Sequence, residues 1–369
     1  MKKIVICGNY GINNLGDEAI LDGLIRLIKS TYRNAHIIVL SSDPINTIKQ
    51  HKVESVYMFP AGIRSLFSFL FKARFWATMD AVATADLVIL GGGGLLTDEN
   101  KHAIWIWYSQ FFWFKLFGRR FVCLAQSVGP IKKNFSKFLV RNIYNYSKIS
   151  SVRDQKSKEV LIDIGVKTPV EVLSDPAFAL AYDGSSFHKP DKSIVLSIRP
   201  WKKENSEFIL EIAKFVEFLV KEEGYIVNFI PFQKAIADDS SQYRKIKDKS
   251  GLNDETFKLI DVNDFRQALD YISRADMIFG MRLHSVIFSI IARKPFLAIS
   301  YSPKVKNLLL NSNLKCFLDL NNVNLKNLKS EYAEIKANHK NITMKLEQIK
   351  LNQTYGFFNH EALLKEVLE

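Results

Sequence analysis

The residues with the most chemical promise follow an apolar run late in the chain: Gly280-Met281-Arg282-Leu283-His284-Ser285, and, after the next apolar run, Tyr301-Ser302-Pro303-Lys304. A strand that hands Arg282 and His284 to a helix N-terminus, with Lys304 delivered to the same sheet edge by the next strand, gathers two cations, a helix dipole and an imidazole. Such a set binds an anion and moves a proton beside it. Of the seven histidines, none but His284 has such company.

A second set follows the first apolar run, in Gly8-Asn9-Tyr10-Gly11-Ile12-Asn13-Asn14-Leu15-Gly16-Asp17-Glu18-Ala19. Three glycines let the backbone turn sharply and approach a ligand, and the helix start beyond them offers unpaired N–H groups. The spacing is not the dinucleotide fingerprint, and no phosphate-loop lysine follows. Two readings remain: a tight strand-to-helix turn whose Asp17 and Glu18 complement the helix dipole, or a sugar-hydroxyl site drawing on Gly11, Asn14, Asp17 and Glu18.

Gly91-Gly92-Gly93-Gly94 ends another apolar run. Four consecutive glycines are entropically expensive to order, which points to a loop whose backbone, around Gly92 and Gly93, approaches a ligand or another domain. Arg153-Asp154 reads as a salt-bridged helix start or as an anion fork. Arg199-Pro200-Trp201 reads as a capped turn or as a further site residue at a strand end.

Composition bounds these readings. A length of 369 residues predicts about two domains at ~150 residues each, and 47% hydrophobic content excludes disorder. The excess of 51 Lys and Arg over 38 Asp and Glu, a net +13, favours an anionic partner: nucleic acid, a membrane surface or a phosphorylated metabolite. No nucleic-acid-binding module is recognisable, which places nucleic acid last. Cys7, Cys123 and Cys316 are too widely spaced for a disulfide framework or a zinc cluster, so a reducing cytoplasm is expected. Neither a signal-peptide core nor a membrane-spanning run is present. An aromatic stretch at 104–117, IWIWYSQFFWFKLF, precedes Gly118-Arg119-Arg120, and a second at 66–76 follows Arg64. Aromatics with basic flanks suit peripheral association with an anionic membrane surface, core packing or a dimer contact.

The elements that position these residues alternate between β-rich runs and helical-period stretches, the pattern of parallel sheets covered by helices. Strands are expected at 3–7, 36–40, 54–58, 86–91, 121–126, 149–152 and 170–173, then, past a polar stretch at 182–192, at 193–199, 225–230, 276–280 and 296–300. Helices are expected over 206–223, over 264–274 with Asp264 as cap, and over 284–293. The fold class is α/β: two Rossmann-like doubly wound lobes facing a cleft, the first over 1–181, the second over 193–320, a linker at 182–192 and a helical tail over 321–369. In such sheets ligands sit beyond the carboxyl ends of the strands.

The ordered motifs GNYGINNLGDEAIL (8–21), GGGGLLTD (91–98), AQSVGP (125–130), SVRD (151–154), SDPAF (174–178), RPW (199–201), PFQ (231–233) with Asp238 after it, MRLHS (281–285) and SPK (302–304) resemble the polysaccharide pyruvyl transferase family. Ser302 stands where that family commonly has Asp. The resemblance implies a fold like that of GT-B glycosyltransferases. It also implies transfer of pyruvate from phosphoenolpyruvate onto a sugar diol as a cyclic ketal, with release of phosphate. The acceptor it implies is a cell-surface glycan precursor, often lipid-linked. By position, Arg153, His284 and Lys304 match the family's functional Arg, His and Lys. With Arg282, the arginine and lysine would clamp phosphoenolpyruvate, while Asp17 and Glu18 orient the acceptor. Phosphoenolpyruvate is then a co-substrate, and no cofactor or metal is expected. The alternative is a GT-B-type glycosyltransferase using a nucleotide sugar.

Overall fold

Ile4, Val5, Ile6 and Cys7 are all fully buried, as a strand covered on both faces requires. They form β1 (Lys3–Cys7) at the centre of a parallel sheet with β2 (His36–Ser41), β3 (Glu54–Tyr57), β4 (Leu87–Leu96), β5 (Arg120–Val128), β6 (Ser150–Val152) and β7 (Val170–Val172). The order is β3-β2-β1-β4-β5-β6-β7, so the winding direction reverses between β1 and β4. The structure is a computed structural model that describes residues 1–62, 72–183, 191–201, 206–235, 238–300 and 314–368. Two units partition it: Met1–Ile12, Asp17–Ala179 and Gln353–Glu369 in the first, Asn13–Gly16 and Leu180–Asn352 in the second.

In the first unit the two-residue period of β1 sorts the core. Ile4 and Ile6 pack with Ile20, Leu24, Leu27 and Ile28 of α1 (Leu15–Thr31), whereas Val5 and Cys7 pack into the opposite cluster. That second cluster is closed by α3 (Ala73–Ala83), α4 (Ala103–Leu116) and α5 (Asn134–Tyr146). The shorter α2 (Pro44–His51) and α6 (Gln155–Asp163) are N-capped by Asp43 and Asp154, whose carboxylates accept the N–H of Asn46 and Ser157.

The second unit repeats the winding. Strands β8 (Ser193–Ser197), β9 (Ile226–Phe229), β10 (Phe257–Leu259), β11 (Met277–Gly280), β12 (Phe296–Ser300) and β13 (Phe317–Asp319) lie in the order β10-β9-β8-β11-β12-β13, all parallel. Helices α7 (Ser206–Lys221), α8 (Ser240–Ser250), α9 (Phe265–Arg274), α10 (Leu283–Ala292) and α11 (Leu325–Ala337) connect or cover them. Asp264 caps α9 by accepting the N–H of Gln267. Helix α10, LHSVIFSIIA, is buried on every side from Ser285 to Ala292.

Several expectations change. Gly91–Gly94 is not a loop: β4 continues through it, pairing Gly91 with Leu124 and Gly93 with Gln126 before an irregularity ahead of Leu96. The cause is helix packing: a Cβ on Gly91 would lie 2.4 Å from Leu24, and one on Gly92 2.0 Å from Ile20. The close approach that the glycines allow is therefore α1 lying over the strand, with Gly92 and Gly93 at φ +51° and +87°. Strands β10 and β13, three residues each, add to the expected set. The region 321–369 is helical over most of its length; α12 (His339–Leu368) buries Leu346, Leu363, Leu364 and Val367, and its residues from Gln353 onward belong to the first unit. Most of the polar stretch at 182–192 lies outside the described residues, and the partition falls between Ala179 and Leu180. Among the described residues no helix is long and apolar enough to cross a membrane.

Candidate functional site

In the second unit, β11 ends at Gly280, the chain passes through Met281 and Arg282, and His284 stands in the first turn of α10. Gly280 is required there, because a Cβ would meet the Ser285 hydroxyl at 2.3 Å; that hydroxyl instead donates to the Arg282 carbonyl at 2.6 Å. The order of this sheet reverses between β8 and β11, whose residues Ser197 and Gly280 are register partners. His284 and Arg199 thus lie beyond the carboxyl ends of adjacent strands at the reversal, where ligands of doubly wound sheets bind. The Arg199 Nε donates to the Pro200 carbonyl at 3.3 Å.

Arg282 is forked to a buried carboxylate. Its Nε and Nη2 donate to the two carboxylate oxygens of Asp239 at 3.1 and 2.5 Å, and Asp239 is fully buried. The same carboxylate accepts the N–H groups of Phe232 and Gln233, both at 3.1 Å. Burial pushes the Asp239 carboxyl up from its ordinary value, with the Arg282 charge and the two backbone N–H bonds opposing it. A bidentate fork of this kind locks the turn that carries His284 to the 231–233 segment.

The imidazole of His284 rests on Gly16, where a Cβ would lie 2.0 Å from Nδ1. Residues 13–16 reach this place by pairing with the segment after β9: Leu15 donates its N–H to the Phe232 carbonyl at 2.9 Å, and Asn14 forms an antiparallel bridge with Gln233. The Asn14 side-chain Oδ1 also accepts the Gly16 N–H at 3.0 Å. Asn14, Gly16, Gln233, Asp239, Arg282 and His284 therefore form one constellation in the second unit.

In the first unit, Gly11, at φ +75°, donates its N–H to Glu18 at 2.8 Å. Glu18 is buried, and its other oxygen meets the Nε2 of buried His51 at 2.8 Å, with Asp22 3.7 Å from Nδ1. Burial pulls the His51 pKa down, but the hydrogen bonds and charges of Asp22 and Glu18 outweigh it and hold the pKa above the ordinary histidine value. Glu18 is thus an internal brace, and His51 has the charged company that sequence reading reserved for His284. Asp17 is half-buried, accepts from the Asn9 amide at 2.9 Å and lies beside Gly93.

Arg153 follows β6, and its expected pairing with Asp154 does not occur. Its Nη1 donates to Asp175 at 2.5 Å and its Nε to the Ser127 hydroxyl at 2.6 Å. Asp154 accepts from Ser127 and caps α6 at Ser157 instead. Among the described residues, Nη2 of Arg153 has no hydrogen-bond partner, which leaves one edge of an otherwise fixed guanidinium. Lys304 lies outside the described residues. Among the described residues no cluster of His, Cys, Asp and Glu is arranged to hold a metal ion.

Asp239 and His51 escaped sequence reading. Of the adjacent pair Asp238-Asp239 the first was singled out, although it is the second that turns inward. The available signal was position: Asp239 immediately precedes a helix yet makes no capping bond of its own.

The model of the polysaccharide pyruvyl transferase family matches residues 14–303. No curated protein sequence matches the chain. Among solved structures, the chain is similar to UDP-GlcNAc 2-epimerase from Neisseria meningitidis bound to UDP-GlcNAc (TM-score 0.63, 11% identity, 100% of this chain and 99% of that one). It is also similar to a glycosyltransferase from Rickettsia africae (0.61, 15%, 100% and 99%) and to the Anabaena protein HepE in complex with UDP and glucose (0.63, 13%, 99% and 100%). These likenesses establish the fold, two parallel α/β sheets of the GT-B type.

Proposed function

The chain belongs to the polysaccharide pyruvyl transferase family, and from that premise we propose that it transfers pyruvate from phosphoenolpyruvate to a diol of a glycan precursor. The observation that carries this reading is His284, set at the start of α10 beyond β11 and held there by the Arg282–Asp239 fork and the bare backbone of Gly16. A buried fork and a glycine contact restrict the imidazole to a narrow range of positions, as proton transfer needs.

In the proposed sequence Arg153, through its open Nη2 edge, and Lys304 bind the carboxylate and phosphate groups of phosphoenolpyruvate. Arg282 acts as a positioning cation, since Asp239 already compensates its charge. A proton added to the methylene carbon makes the methyl group and leaves an oxocarbenium-like carbon, which the first sugar hydroxyl attacks while losing its proton. The carbon–oxygen bond to phosphate then breaks, the second hydroxyl closes the ketal, and its proton leaves with inorganic phosphate. His284 serves one of the two proton transfers of the first stage. Asp17, half-buried beside Asn9, orients acceptor hydroxyls, whereas Glu18 acts through Gly11. The acceptor is proposed to be lipid-linked and the enzyme cytoplasmic, peripheral to the inner face of the membrane.

The test is mass spectrometry of lipid-linked and synthetic saccharides after incubation with phosphoenolpyruvate. A pyruvate ketal on the saccharide with matching phosphate release is expected. The second reading is a glycosyltransferase using a nucleotide sugar, favoured by neighbours of the same fold solved with UDP or UDP-GlcNAc. Release of UDP from a nucleotide sugar, with phosphoenolpyruvate untouched, would establish it instead.

Gly16→Ala probes the constellation without removing a reacting group. The added methyl displaces the His284 ring, and a displacement on the ångström scale is expected to lower kcat/KM for phosphoenolpyruvate by about 10- to 100-fold. Phosphate-release kinetics with a melting curve alongside measure it. An unchanged kcat/KM would show that the ring position is immaterial.

A further inference from the structure

Helix α4 is apolar on all sides, and such helices are normally enclosed by protein. Its inner face is: Ile104, Trp107, Phe111 and Phe114 are buried, and Trp113 stacks on Phe59 at 4.9 Å. Its outer face is not. Trp105, Phe112 and Leu116 recur at i, i+7 and i+11, the spacing of one helical stripe, and with Phe135 and Phe138 on the adjacent α5 they are 48–61% exposed. Trp105 keeps its ring ordered by donating its indole N–H to the Ala61 carbonyl at 3.1 Å.

The charge around these side chains is one-sided. Neither α4 nor α5 contains an Asp or Glu, while Lys115 lies on the first and Lys137 and Arg141 on the second, with Lys132 and Lys133 just before α5. The acidic residues nearest in sequence are Asp98 and Glu99, ahead of α4. Asp98 is turned to structural use, accepting the N–H groups of Lys132 and Lys133 and the Ser136 hydroxyl. Exposed aromatic and leucine side chains set among cations, with no carboxylate on the same helices, complement an anionic lipid surface: the rings enter the headgroup region and the cations meet the phosphates.

We propose that the outer face of α4 and α5, with Trp105, Phe112, Leu116, Phe135 and Phe138 as its apolar contacts and Lys115, Lys137 and Arg141 as its cations, docks the enzyme on anionic phospholipid. This deepens the peripheral placement proposed above and rests on it for the setting, but vesicle binding is read without substrate. Trp107 and Trp113 belong to the core, so substituting them would report on folding.

The experiment is co-sedimentation of the full chain with phosphatidylcholine vesicles and with mixed phosphatidylcholine–phosphatidylglycerol vesicles. The expected result is partition onto the mixed vesicles alone, reduced about tenfold or more both in Trp105→Ser/Phe112→Ser/Phe135→Ser and in Lys115→Glu/Lys137→Glu/Arg141→Glu. Circular dichroism melting confirms that both variants fold, and pyruvyl transfer to a water-soluble acceptor is expected to be unchanged in them. No partition of the wild-type chain, or equal partition of the folded variants, overturns the proposal. So does a wild-type dimer that ignores vesicles and is broken by the apolar substitutions, which would assign the face to a second copy. A wild-type chain that transfers pyruvate yet ignores mixed vesicles fails this proposal alone, and one that docks on them yet transfers no pyruvate fails the functional reading alone.

Discussion

His284→Ala and His284→Gln are each expected to lower phosphate release from phosphoenolpyruvate by about 10²- to 10⁴-fold, the usual contribution of a positioned acid or base. Neither variant removes a core side chain, since the burial of α10 begins at Ser285, so melting behaviour is expected to stay close to wild type. Gln is the informative replacement because it keeps polarity and most of the volume while losing the ability to shuttle a proton near neutral pH. If the imidazole only hydrogen-bonds a substrate oxygen, Gln will retain much of the activity that Ala loses. If it carries the proton, both variants fall together. Full turnover in either variant would remove His284 from the mechanism.

Asp239→Ala is expected to destabilise the second unit by about 3–5 kcal/mol, because it leaves a mostly buried guanidinium without its counter-charge. It also strips acceptors from the N–H groups of Phe232 and Gln233, which are enclosed. For a unit of this size such a loss corresponds to a fall in melting temperature on the order of 10 °C. The double variant Asp239→Ala/Arg282→Met is expected to recover part of the loss, since an apolar side chain of similar length needs no partner. A melting temperature unchanged by Asp239→Ala would show that the fork contributes nothing. Recovery of stability in the double variant without recovery of phosphate release would place Arg282 in positioning His284.

Much of the fold was legible, for identifiable reasons. Short apolar runs bounded by turn residues, such as 86–91 and 121–126, suit strands buried on both faces, and Asp264 marks the start of α9, where it accepts the N–H of Gln267. Of the three-residue strands, β6 and β7 fall within the runs expected at 149–152 and 170–173, whereas β10 and β13 lie outside every expected run. The glycine run is expected to be a loop that a ligand or another domain approaches; it is instead a strand approached by the side of α1, which no local pattern names.

The sequence by itself determined which residue types arrive at the ends of strands, and hence that an imidazole, several cations and a glycine-rich turn are available for anion and sugar chemistry. It also determined the parallel α/β class and the family, because strand length, apolar content and motif order are local quantities. Only the tertiary structure decided which charges are free to act. Arg282 is forked to Asp239, Glu18 bonds His51 and Gly11, and Arg153 is fixed by Asp175 and Ser127 with one edge left over. Only the tertiary structure, too, split the aromatic stretch into a core face and an exposed face. The reason is the same in both cases: pairing energies and burial depend on distance in space, and residues brought together by the winding of the sheets stand far apart in the chain.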